Sequence, residues 1–141
     1  MVQGEEAMRL LGKRLAGELE AGDVLGLVGE LGAGKTRLVQ GILNGLVCEQ
    51  TGTSPTFSIV HEHTDGRLPV AHFDLYRLKR PDEALQIGWD EYLASGMVLL
   101  VEWADRFGGE LLPKETVWMQ IERLGETTRR VRIQQAARQT H

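Results

Sequence analysis

Val24-Leu25-Gly26-Leu27-Val28 runs directly into Gly29-Glu30-Leu31-Gly32-Ala33-Gly34-Lys35-Thr36, a short apolar strand pattern opening into G-x-x-x-x-G-K-[ST]. Each fixed position of that loop has a mechanical task. Glycine tolerates positive φ and close approach, so successive backbone N–H groups can curl around a phosphate. Lys35 supplies a point charge for the β/γ-phosphates, and the Thr36 hydroxyl suits the oxygen shell of Mg²⁺. Residues from Gly34 to about Leu46 then carry a helical pattern, which aims a helix N-terminus at the phosphates. Strand, loop and helix together predict a nucleotide-binding site. A glycine-rich connection alone leaves the Lys-Thr pair without a task.

The remaining chain is consistent with one domain built around that unit. Its 141 residues suffice for a single substantial core, so the expectation is one P-loop domain over 1–141. No apolar run approaches the roughly 20 residues needed to span a bilayer. The N-terminal Met1-Val2-Gln3-Gly4-Glu5-Glu6 is acidic and unlike a secretory signal. Cys48 is the sole cysteine and lacks an internal disulfide partner. These features predict a cytoplasmic protein without a membrane role. A net charge of −4 argues against a chain that holds nucleic acid by itself. The basic segment from Arg123 to His141, with Arg123, Arg129, Arg130, Arg132 and Arg138 against Glu126, reads either as a surface that touches an acidic partner, RNA or the nucleotide, or as a solvated edge strand and frayed terminus.

Around the loop the elements alternate. Met8, Leu11, Leu15 and Leu19 recur at helical spacing and predict an amphipathic helix over Glu5–Leu19. Phe57, Ile59 and His61 alternate as a strand, Asp65-Gly66 turns, and Leu68–Phe73 returns. Pro81 to Leu85 starts a helix that breaks near Gly88 before Trp89–Leu93. Met97–Val101 is continuously apolar, as a central parallel strand requires. Val117–Ile121 and Arg129–Ile133 alternate around Gly125 and predict a peripheral hairpin. The fold class is α/β: a P-loop NTPase-like three-layer sandwich with a mixed, mainly parallel sheet and peripheral antiparallel hairpins.

Two acids stand at the ends of apolar strand patterns. Asp74 follows Val70-Ala71-His72-Phe73, and Glu102 follows Met97–Val101. Ligands gather at the carboxyl ends of parallel strands, where such carboxylates can hold Mg²⁺ directly or through water. Either acid could instead be a helix N-cap or a surface salt-bridge partner. His61, His63 and His72 have no zinc-type partners at suitable spacing and read as core or surface histidines. Trp89 and Tyr92 read as core.

Gly29–Thr36, then Ser54-Pro55-Thr56-Phe57, then His72-Phe73-Asp74-Leu75-Tyr76-Arg77-Leu78, then Val101-Glu102-Trp103 and Leu112-Pro113 form an ordered set that resembles the TsaE (formerly YjeE) family. The resemblance covers nearly the whole chain. It implies a weak ATPase, slow alone and stimulated by partners, that uses ATP and Mg²⁺ in support of the TsaB–TsaD heterodimer. That machinery attaches threonylcarbamoyl to the adenosine beside the anticodon of tRNA, with tRNA contact indirect or through the complex. By matching motif, Gly29, Glu30, Leu31, Gly32, Ala33, Gly34, Lys35 and Thr36 cradle the phosphates, and Thr36 and Glu102 ligate Mg²⁺. Asp74 matches an aspartate required for hydrolysis, through the metal or by orienting water. Ser54, Pro55 and Thr56 fall on a switch-like loop, and Trp103 lies beside the nucleotide. Contacts to the adenine base lie outside these motifs; Glu5 and Arg130 are the positions expected to reach it. Arg37 and Glu30 depart from common family residues, outside the invariant loop positions.

The residues expected to carry catalysis are therefore Lys35, Asp74 and Glu102. Three other readings share the loop. A small-molecule kinase needs an acceptor pocket and usually a basic lid, and no lid-like insertion separates the elements. A GTPase needs an Asn-Lys-x-Asp motif, which the chain lacks. A nucleotide-gated binding module with negligible catalysis differs from an ATPase only in rate.

Overall fold

The computed structural model describes residues 2–30, 34–47, 59–107 and 111–135. Leu31, Gly32 and Ala33 of the loop, Cys48 and the Ser54-Pro55-Thr56 segment lie outside the described residues.

The described residues form one seven-stranded sheet with helices on both faces. In chain order the elements are β1 (Val2–Gln3), α1 (Gly4–Ala16), β2 (Val24–Val28), α2 (Lys35–Gly45), β3 (Val60–His63) and β4 (Val70–Asp74). There follow a 3₁₀ turn (Leu75–Arg77), α3 (Asp82–Gln86), α4 (Trp89–Ala94), β5 (Val98–Glu102), β6 (Val117–Arg123) and β7 (Thr128–Gln135). The sheet order is β1-β7-β6-β2-β5-β4-β3. β4, β5, β2 and β6 run parallel, flanked by antiparallel β3 on one side and by β7 and β1 on the other.

Alternation along the central strands sorts side chains between two cores. Leu25, Leu27, Val98, Leu100, Val70, Met119 and Ile121 face α1 and α2, which add Met8, Leu38, Ile42 and Leu43. Val24, Leu99, Val101, Ala71 and Phe73 face the other way, toward Trp89, Ala84 and Ala104. Phe73 meets the Trp89 and Tyr92 rings edge-on, with centroids 4.9 and 5.1 Å away. β2 and β5 are buried on both faces, which explains their unbroken apolar runs.

α1 and α2 lie unusually close. A Cβ added at Gly41 would stand 1.9 Å from the Arg9 carbonyl oxygen, so only glycine permits this crossing. Gly88, with φ of 91°, separates α3 from α4 as the sequence predicts. Two expectations are corrected. α1 ends at Ala16, and Leu19 packs on the core from beyond the helix. The β6–β7 hairpin flanks the parallel strands as expected, with β6 paired in parallel directly to β2. β7 is not an edge strand: β1, too short to carry a periodic signal, pairs outside it.

Candidate functional site

The parallel register sets the site. Glu102, the last residue of β5, lies between Leu27 of β2 and Asp74, the last residue of β4. All three strands end at one sheet edge, immediately before or beside Gly29, where the loop begins. By alternation Asp74 and Glu102 face the α1/α2 side with Val70 and Leu100. α2 begins at Lys35 over that same edge. Gly34, its N-terminal cap, has φ of 108°, a conformation that costs glycine little.

These elements enclose a cavity of about 1020 Å³. Its lining includes Gly34, Lys35 and Thr36 from the loop and α2, Asp74 and Glu102 from the strand ends, and Trp103. Glu5 and Met8 of α1 form another wall, with Arg129 and the β6–β7 turn. The Gly4 N–H donates to the Thr127 carbonyl at 2.7 Å, tying α1 to that turn.

Lys35 is only 5 % exposed. Its Nζ donates to the carbonyls of Gly29 and Glu30 and lies 4.2 Å from the centroid of the Trp103 ring. Burial pushes its pKa down from the ordinary lysine value, opposed by the nearby charges of Glu102, Asp74, Asp105 and Glu30. Asp74 moves the other way. Burial raises its carboxyl pKa, and the hydrogen bond from the Tyr76 N–H at 3.1 Å works against that rise. That hydrogen bond also caps the 3₁₀ turn, so Asp74 caps a turn and lines the cavity at once. The Arg77 Nε stands 3.9 Å from its Oδ2.

Glu102 is buried, and its Oε2 lies 2.6 Å from the Nε2 of His72. Trp103 follows with φ of 57°, a left-handed conformation uncommon for a bulky residue. Its ring packs on Tyr76, centroids 4.7 Å apart, and the two aromatic rings form one lip of the cavity.

Thr36, Asp74 and Glu102 offer hard oxygen donors around one space. That set fits Mg²⁺, which commonly takes one or two carboxylates plus phosphate and water. Glu5 lines the cavity and pairs with Arg37 at 3.2 Å. Arg130 does not line it: its side chain reaches Glu122 at 3.7 Å. Arg129 is the cavity residue, on the same side of β7 as the core-packed Val131. Sequence reasoning missed two residues here. Arg129 was detectable from strand parity, since it shares a face with Val131. His72 was detectable in the same way, two residues before Asp74 and hence on its face.

The family model for threonylcarbamoyl adenosine biosynthesis protein TsaE matches residues 2–131. The tRNA threonylcarbamoyladenosine biosynthesis protein TsaE of Bacillus subtilis is 41% identical over 126 residues, covering 89% of this chain and 78% of that protein. Its counterpart of the same name from Streptomyces coelicolor is 43% identical over 130 residues, with 89% and 86% covered. The Nostoc protein of that name is 42% identical over 106 residues, covering 72% of this chain and 65% of its own length. The crystal structure of Bacillus subtilis YdiB superposes with a TM-score of 0.77 at 36% identity, covering 94% of this chain and 81% of that one.

Proposed function

This chain belongs to the TsaE family, and on that premise we propose that it is a slow, Mg²⁺-dependent ATPase supporting the TsaB–TsaD heterodimer. Its family role is in tRNA threonylcarbamoyladenosine biosynthesis. One observation carries the finer reading: Lys35, Thr36, Asp74 and Glu102, from three parts of the chain, line a single cavity at the carboxyl ends of parallel strands.

The roles follow from each environment. Lys35 leaves the Gly29 and Glu30 carbonyls to meet phosphate oxygens, and the N-terminus of α2 adds its backbone N–H groups. Thr36 and Glu102 would hold Mg²⁺, which when bound offsets charge developing on the phosphates. Glu102 is the better metal ligand of the two acids because its Oε2 is already held by His72. Asp74 is the better group to orient and deprotonate water, since it lines the cavity outside the His72–Glu102 pair and burial raises its proton affinity. Arg77, half-exposed on the lip beside Asp74, is available to transition-state charge. Glu5 and Arg129, on the opposite wall, are the side chains that the nucleoside end would meet. Ser54, Pro55 and Thr56 would act as the switch that reports the γ-phosphate. The protein would work in the cytoplasm, touching tRNA through the complex.

Capture of TsaB–TsaD on immobilised protein, with ATP and with ADP, tests the assignment. Nucleotide-dependent capture is expected. Equal capture with either nucleotide, or none, overturns the partner reading, while phosphate release without an acceptor separates the ATPase from a kinase.

A further inference from the structure

The buried hydrogen bond between His72 and Glu102 adds a residue that the phosphate loop and the strand-end carboxylates do not include. His72 is 1 % exposed and Glu102 3 %, on adjacent parallel strands. His72 and Asp74 alternate onto one face of β4, with Phe73 turned to the opposite core. The Nε2···Oε2 separation of 2.6 Å is that of a short, charge-assisted hydrogen bond. The other ring nitrogen, Nδ1, is buried with no hydrogen-bond partner among the described residues. A proton on Nδ1 would therefore be unsatisfied, whereas a proton on Nε2 has an acceptor.

The geometry points to His72 as a positioning residue: fixed as the Nε2–H tautomer, it donates to Glu102 Oε2 and holds that carboxylate in the orientation needed to bind Mg²⁺. This deepens the reading of the site given above and rests on Glu102 being a metal ligand. The imidazole touches no nucleotide. It works by removing the rotational freedom of a buried carboxylate at a cavity wall. Hydrogen-bond partners of this kind typically contribute about 10–100-fold to metal affinity or activity.

The test uses the full chain. ADP affinity is measured by calorimetry in excess EDTA and in Mg²⁺, for the wild type, His72→Gln and His72→Phe. Glutamine can place an amide N–H near the Nε2 position; phenylalanine keeps ring volume without a donor. The expected result is a Mg²⁺-dependent gain in affinity that falls about 10–100-fold in His72→Phe, with affinity in EDTA unchanged. His72→Gln retains most of the gain. Should His72→Phe fail to fold, His72→Asn, whose amide is too short to reach Glu102, replaces it. Long-range ¹H–¹⁵N correlation of the imidazole in nucleotide-free protein supplies a second readout, with Nε2 protonated and Nδ1 not.

Absence of a proton on Nε2 overturns the inference, as does a Mg²⁺ gain that survives in His72→Phe. Equal loss in His72→Gln marks the effect as packing and overturns it too. A wild type with no Mg²⁺ gain overturns the metal reading, and this inference with it.

Discussion

Gly41→Ala tests the helix crossing that forms two walls of the cavity. At an ordinary helix position the change favours folding by about 1 kcal/mol, because alanine is the better helix former. Here the new Cβ would stand 1.9 Å from the Arg9 carbonyl oxygen, 2.7 Å from its carbon and 3.0 Å from its Cα. All three are backbone atoms, so no side-chain rotation relieves the contact. Reaching even 3.0 Å from the oxygen requires α1 and α2 to part by about 1 Å. Overpacking of this kind costs typically 1–3 kcal/mol or more. The upper end applies to a backbone clash, leaving a net loss of roughly 2 kcal/mol after the gain in propensity. With a urea dependence of about 1–3 kcal/mol per molar, the unfolding midpoint drops by about 1 M. Gly17→Ala is the control. Gly17 already has φ of −68°, and its nearest contact would be 3.4 Å, so its midpoint moves little or rises. α1 carries Glu5 and Met8 and α2 carries Lys35 and Thr36, so parting the helices also weakens ADP binding. A Gly41→Ala midpoint equal to or above wild type would refute the packing argument.

Other perturbations probe single side chains. Asp74→Asn is expected to lower ATP turnover about 10²–10⁴-fold, measured by phosphate release. The same variant should unfold at higher urea than wild type near neutral pH. Asp74 has its folded pKa raised by burial, so the folded state binds its proton more tightly, and the ionised form opposes folding above that pKa. As pH falls through the raised value toward the unfolded value, the wild-type disadvantage disappears and the two midpoints converge. Arg130→Ala should leave ADP affinity unchanged, because that side chain pairs with Glu122 away from the cavity, whereas Arg129→Ala should weaken it several-fold by calorimetry.

The sequence made the strand before the glycine-rich loop and the helix after it legible, because an unbroken apolar run and helical spacing carry strong local signals. The break at Gly88 was legible because positive φ selects glycine. What escaped is set by pairing between distant segments. β1 has two residues and no periodicity, and its place beside β7 depends on the tertiary register. The β6–β7 pattern announced a hairpin, but its parallel pairing to β2 depends on the tertiary register. Parity along one strand could have chosen Arg129 over Arg130, since Val131 faces the core. The same parity places His72 beside Asp74, but the hydrogen bond to Glu102 depends on the β4–β5 register. The left-handed backbone of Trp103 had no sequence signal at all, as nothing about tryptophan favours it.

In the proposed function this cavity hydrolyses ATP through the loop lysine. Phosphate release from ATP and Mg²⁺, without any acceptor, compared between wild type and Lys35→Ala tests it most directly. Slow but measurable release by wild type and none above background by the variant are expected. Undiminished release by Lys35→Ala would contradict it.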